Sequence, residues 1–219
     1  TRVLPEVTIS ELTPRKRRFF LKYLARFLLL FESVKAKGSF LDNKRVIVTA
    51  APHQSGKDEY LMILMILALD IDVCYLSAKW TMRRIPIPFI KPKDIDNQGI
   101  PWPLGWLQEI VFRKFGAIPV DRKGNSGQYD SVVQELFKRD SFLLIITPEG
   151  RFDATRFRSS FLYLAKELEA EVMPVQIDYE HDTLQFLNSL NLDGSEEEVI
   201  QRLRFCFDGV KGRKSRFKA

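Results

Sequence analysis

"RVIVTAAPHQSGKDEYLMILMILAL", residues 45–69, decides how this chain is read. It opens with a short β-branched run, "RVIVTA" at 45–50, the pattern of a buried strand. A polar stretch, "PHQSGKD", follows, and residues 58–69 then have helical length and composition. Strand, polar turn and helix form the first unit of an α/β layer. The polar groups are concentrated where the chain leaves the strand.

The alternation continues downstream. "DVCYLSA" at 72–78 reads as a strand, and residues 81–103, rich in proline and basic residues, as a long irregular excursion. Residues 104–115 read as a helix with Leu107, Ile110, Val111 and Phe115 facing inward, and 117–121 as a strand. In 126–140, Tyr129, Val132, Val133, Leu136 and Phe137 recur with helical period. "SFLLIIT" at 141–147 is a buried strand, and Phe157, Phe161, Leu164, Ala165 and Leu168 mark another helix. "EVMPVQIDY" at 171–179 is a strand whose proline places it near an edge or a bulge. Ser195 and Glu198 have capping-box spacing and open a last helix. The whole predicts an α/β fold: an open, largely parallel, mixed sheet with helices on both faces.

Before residue 44 the pattern differs. Arg15–Arg18 are four consecutive cations, and Phe20, Leu24, Phe27, Leu28 and Phe31 follow at helical spacing. Thr13-Pro14 makes a helix start and Gly38 a stop. A basic amphipathic helix lying on a membrane surface fits, as does a helix packed on the domain with a solvated basic start. The expected organisation is a membrane-seating segment at 1–38, an α/β domain at 39–210 and a basic tail at 211–219.

Bulk composition sets limits. The 219 residues carry a net charge of +6 and a pI near 9.3, which favours an anionic partner. The positive charge lies at the two ends and in the 81–93 loop, with no aromatic–basic platform, so nucleic acid is not expected as a partner. The only histidines, His53 and His181, exclude a multi-histidine metal site, and Cys74 and Cys206 match no zinc spacing. Both cysteines sit in apolar surroundings and read as free thiols. No signal-peptide pattern and no run of about 18 apolar residues is found.

Ligands of open α/β sheets bind beyond the carboxyl ends of the strands. The segments there are "APHQSGKD", "DRKGNSG" and "TPEGR", which makes His53, Asp58, Asp121, Arg122, Glu149 and Arg151 candidates for one cleft. His53 and Asp58 are five apart, about 500° of regular helix, so they fall on different faces unless the segment is partly unwound. Ser55-Gly56 supplies a break, with the helix starting near Lys57 or Asp58. A carboxylate at one ring nitrogen then fixes the tautomer and leaves the other nitrogen to take a proton. The alternative is an aspartate that caps a helix beside a turn histidine. "SGKDE" is not a phosphate-binding P-loop, because Ala51 stands at its first glycine and Asp58 at its Ser/Thr. Arg122 and Lys123, with Gly124 and Gly127, suit a phosphate or an ordinary basic turn.

These residues resemble the glycerolipid acyltransferases typified by 1-acylglycerol-3-phosphate acyltransferase. "HQSGKD" is similar to that family's His-x4-Asp motif, "GAIPVDR" at 116–122 to its second block, "TPEGR" to its Pro-Glu-Gly-Thr-Arg block and "VMPVQID" at 172–178 to its fourth. The resemblance implies that His53, held by Asp58, deprotonates a lipid hydroxyl, which attacks an acyl-CoA or acyl carrier protein thioester. It implies a phosphate contact for Arg122 and acceptor binding for Glu149, Gly150 and Arg151. Arg151 follows Gly150 directly, without the family's threonine, so Arg156 or Arg158 stands as a substitute. No cofactor is implied beyond the thioester co-substrate. The location implied is peripheral or monotopic, on the cytoplasmic side of a membrane. A thioesterase or hydrolase using the same pair on water is the competing enzyme reading. A lipid-binding module of the same fold without turnover is the non-enzymatic one.

Overall fold

The computed structural model describes residues 6–9, 19–40, 45–71, 73–79, 82–85, 100–101, 103–120, 127–150 and 156–213. Thr13, Pro14, Arg15–Arg18, Asp121, Arg122, Lys123, Gly124, Arg151, most of the 81–103 excursion and the last six residues lie outside them. The fold is α/β with a mostly parallel, mixed sheet, and the chain divides into two compact units, Thr1–Val73 with Asp140–Ala219, and Cys74–Arg139.

The first unit holds β1 (Glu6–Ile9), α1 (Phe19–Leu29), β2 (Lys35–Phe40), β3 (Arg45–Ala51), α2 (Gly56–Ala68), β8 (Phe142–Ile146), α5 (Ser160–Glu167), β9 (Glu171–Asp178), β10 (Thr183–Phe186) and α6 (Glu196–Phe205). Its strands run β1-β2-β10-β9-β3-β8. Among the described pairings of these strands, only β9–β10 is antiparallel. From Val46 to Ala51 every residue of β3 is buried, as a central parallel strand requires. In α2, Leu61, Met62 and Leu64 to Ala68 are all buried, so this helix lies in the core rather than presenting one apolar stripe. Burying each of these Leu, Ile and Met side chains stabilises the fold by about 1.5–3 kcal/mol.

The second unit holds β4 (Val73–Ala78, beginning at the boundary), β5 (Arg84–Ile85), β6 (Ile100–Pro101), α3 (Gly105–Lys114), β7 (Ala117–Val120) and α4 (Gly127–Phe137). β4 and β7 are parallel, and β5 and β6 form a short antiparallel pair. Val132, Val133 and Leu136 of α4 are buried as expected, whereas Phe137 is exposed. The inward face expected for α3 is not found. Leu107, Ile110 and Val111 are exposed with Trp106, and Gly105 is the only buried residue of the helix. Periodicity identifies an apolar stripe but not what covers it.

Three other expectations are corrected. Helix α1 ends at Leu29, and Gly38 lies in β2 with φ +101°, where a Cβ would stand 2.1 Å from the Phe186 carbonyl oxygen. That glycine serves close strand packing rather than a helix stop. Strand β9 is interior, between β10 and β3, despite Pro174. Pro174 lies one residue beyond the end of the β10 ladder at Val175, and its carbonyl accepts from Leu187 N–H. The missing proline N–H would point to that same unladdered side. Finally, α2 starts at Gly56, earlier than Lys57 or Asp58. The capping box at Ser195 and Glu198 is present as read, and both cysteines are free.

Candidate active site

Register brings three segments of the first unit to one end of the sheet. β8 and β3 are parallel with Thr49 opposite Ile146, so the turns after them, carrying His53 and Glu149, leave side by side. β9 flanks β3 on the other side with Ala51 opposite Gln176, so the residue after β9, Tyr179, reaches the same end. A cis peptide links Ala51 to Pro52, and His53 follows it.

Local structure then sets the aspartate. Ser55 is the N-cap of α2 in extended backbone (φ −158°, ψ 160°), and Asp58 is the third helical residue. Asp58 Oδ2 accepts from the Gln54 and Ser55 amides, both at 2.7 Å, the carboxylate half of a capping box. The turn before α2 brings the two side chains together, with the break at Ser55-Gly56 as read and His53 outside the helix. Nδ1 of His53 lies 3.7 Å from Asp58 Oδ2, with both side chains almost wholly buried. That distance exceeds a hydrogen bond but keeps the carboxylate charge on the ring. Gly56 is not needed for the break, since a Cβ there would meet nothing within 4 Å.

Two partners escaped the sequence reading. Tyr179 Oη donates to Asp58 Oδ1 at 2.5 Å, and Ser55 Oγ donates to the same oxygen at 3.2 Å. Glu59 Oε1 lies 3.4 Å from His53 Nε2, so the ring stands between two carboxylates, and Glu59 is the exposed one. The strand-end rule applied to β9 would have pointed to Tyr179. The proline in that strand diverted the reading to a sheet edge. For Glu59 the only signal was its place beside Asp58.

Glu149 is 6% exposed, and its Oε1 accepts the His53 amide at 3.1 Å, tying the β8 turn to the β3 turn. Its Oε2 is buried with no hydrogen-bond partner among the described residues. Gly150 has φ +67° and closes the turn by donating its N–H to the Thr147 carbonyl at 3.0 Å. Arg158 donates its own N–H to the Pro148 carbonyl at 2.8 Å, and its Cδ stands 3.3 Å from where a Cβ of Gly150 would be. The candidates His53, Asp58, Glu149 and Gly150 are thus brought together with Arg158, while Arg122 and Arg151 lie outside the described residues.

The two buried carboxyls are pushed in opposite directions. Burial raises Asp58, but the contacts with His53, with Tyr179 and with the Gln54 and Ser55 amides outweigh it and hold the group below the usual aspartate range. Burial raises Glu149 above the usual glutamate range, and the hydrogen bonds from its own amide and that of His53 do not offset it. Burial and the Asp58 carboxylate push the Tyr179 phenol well up, so it stays a proton donor to Asp58. Carboxyls separated in this way take different protonation states at one pH. An ionised Asp58 stabilises an imidazolium at His53, and Nε2 is the nitrogen left for proton transfer. Ser55 Oγ is directed at Asp58, so this turn gives the histidine no serine nucleophile.

No protein-family model matches the chain, and no curated protein matches its sequence. Function therefore rests on the chemistry of the site itself.

Proposed function

We propose that the protein is an O-acyltransferase that moves a fatty acyl group from an acyl-CoA or acyl carrier protein thioester to the hydroxyl of a lysophospholipid or glycerol-phosphate-type acceptor. The observation that carries this reading is the buried His53–Asp58 pair beyond the carboxyl end of β3, with Nδ1 3.7 Å from Oδ2. His53 Nε2 takes the acceptor's hydroxyl proton as the oxygen attacks the thioester carbonyl. The thiolate then leaves and is protonated from the imidazolium, which returns the base to its neutral form. Asp58 orients the ring and balances its transient charge. The acceptor approaches from the side of Glu59, whose carboxylate is the more exposed of the two beside the ring. Arg122 contacts phosphate, Glu149 and Gly150 shape the acceptor end, and Arg151 or Arg158 supplies the remaining cation. Arg158 has the support of lying beside Gly150.

A membrane surface is the partner that delivers both substrates. On α1 and the turn that follows it, Phe20, Phe27 and Phe31 are 74%, 55% and 74% exposed, and Tyr23 and Leu30 are exposed as well. Its sheltered side holds Ala25, the Lys22–Asp70 ion pair and the bond from Arg26 Nε to the Ala68 carbonyl. Aromatics outward and cations Arg15–Arg18 just upstream suit an anionic bilayer surface. No helix among the described residues is long and apolar enough to cross a membrane. The proposed contact is peripheral or monotopic, on the cytoplasmic face, as the family resemblance implies.

Labelled acyl-CoA and a panel of lysolipids on anionic vesicles test this directly. Transfer that depends on an acceptor and disappears in His53→Ala is expected, and robust transfer by that variant would sink the proposed base. A second reading, a lipid-binding module without turnover, draws on the closer fit of Asp58 to its cap amides (2.7 Å) than to the histidine. Vesicle binding with no turnover on any acceptor favours it. Thioester loss with no acceptor requirement instead favours a thioesterase.

A further inference from the structure

We propose that Tyr179 is a positioning residue of the His53–Asp58 pair: its phenol fixes Asp58 Oδ1 and so presents Oδ2 to the imidazole. This deepens the acyltransferase reading and rests on it for the chemistry. The phenol–carboxylate contact, 2.5 Å, joins residues 121 apart in sequence and is buried. Tyr179 is itself held, since its amide donates to the Lys211 carbonyl at 2.9 Å.

Asp58 has four donors. The Gln54 and Ser55 amides take Oδ2, and the Tyr179 and Ser55 hydroxyls take Oδ1. With both oxygens engaged, the carboxylate cannot rotate about its last bond without breaking one set. The amides belong to the turn itself and would cap α2 whatever the carboxylate's tilt. The phenol comes from another strand end, so it is the contact that sets the plane of the group relative to His53.

A tyrosine that merely satisfied a buried carboxylate would, when removed, leave more negative charge on that carboxylate and favour the imidazolium. A positioning tyrosine acts the other way. Without its hydroxyl the carboxylate can turn on its cap amides, Oδ2 no longer faces Nδ1, and the imidazolium loses its partner. Among the described residues, the charged groups shown beside the ring are Asp58 at Nδ1, Glu59 at Nε2 and Glu149 through the backbone, and Arg213 acts on the phenol.

Tyr179→Phe in the full chain tests this, with two readouts and a melting curve as control. His53 is followed by NMR titration of its ring protons, and the only other histidine signal is assigned with His181→Gln. Acyl transfer from acyl-CoA to lysophospholipid on vesicles is the second readout. The expected result is a downward shift of the His53 midpoint together with a fall in kcat of about tenfold to a hundredfold at unchanged acceptor KM, the scale of one hydrogen bond to a charged group. An unmoved or raised midpoint overturns the proposal, as does an unchanged rate. A variant that no longer folds also overturns it, by making Tyr179 a folding residue. If the wild type transfers no acyl group to any acceptor, the acyltransferase reading falls, and the titration alone still decides whether Tyr179 acts on the pair.

Discussion

Among the described residues, the two histidine–aspartate pairs of the first unit are built oppositely. His181 Nδ1 lies 2.7 Å from Asp178 Oδ2, three residues away in an exposed turn. His53 lies 3.7 Å from Asp58, five residues away, with both side chains buried. On bond length alone the exposed pair is the better one. Yet water screens it, its aspartate is shared with the Glu180 and His181 amides of the same turn, and nothing from another strand end touches it in the bonds described. The buried pair meets a second carboxyl and a phenol from two other strand ends. What sets the His53–Asp58 pair apart from a decorated turn is therefore its surroundings, not its length.

The contrast breaks most directly in activity. His53→Gln is expected to lower transfer by about a hundredfold to ten-thousandfold, the usual worth of a general base. His181→Gln should leave transfer unchanged in the same assay, and equal losses would erase the distinction. Stability gives the next largest separation. Asp58→Asn removes a charged acceptor from two amides, and a cost of about 1–3 kcal/mol is expected in denaturant unfolding. Asp178→Asn, at the exposed turn, should cost no more than about 0.5 kcal/mol.

The pairs also respond to pH in opposite senses. The Asp58 carboxyl is held low in the fold, so its contribution is present above the ordinary aspartate value and is lost as pH falls through its folded value. His181 is held high by Asp178, so its contribution is present below the ordinary histidine value and is lost as pH rises through its folded value. Glu149 sharpens this. Burial raises it, so its ionisation opposes folding above the ordinary glutamate value. Glu149→Gln keeps an acceptor for the His53 amide, and its melting temperature relative to wild type should be higher at pH 7 than at pH 4. The smallest effect expected is at Gly56. Alanine fits there without a contact, and Gly56→Ala should stabilise by about 0.4–1 kcal/mol with transfer intact. A loss of transfer would restore the glycine as a necessary hinge.

Much of this architecture was legible because it is periodic. The β-branched run of β3, the apolar run of β8 and the Ser195–Glu198 spacing each carry their own local signal. The strand-end rule then placed His53, Asp58 and Glu149 together from element order alone. What escaped depended on pairing. Gly38 looks the same as a helix stop or as the point where β2 touches Phe186, and only the register separates them. Pro174 signals a missing donor but not which neighbour would have received it. Strand β10 is four residues long and was not read at all. Tyr179 was hidden for the same reason, since its partner is on another strand's turn.

The bonds that complete this site join distant parts of the chain: 96 residues from His53 to Glu149, 121 from Asp58 to Tyr179. Closing loops of that length costs entropy that only a formed sheet returns, so such contacts come late in folding. A ribosome releases the histidine turn long before the tyrosine that clamps it. The protein therefore spends its synthesis with an unfinished site. His53 acquires its full setting only when β9 docks beside β3, which ties the proposed chemistry to the completion of the fold.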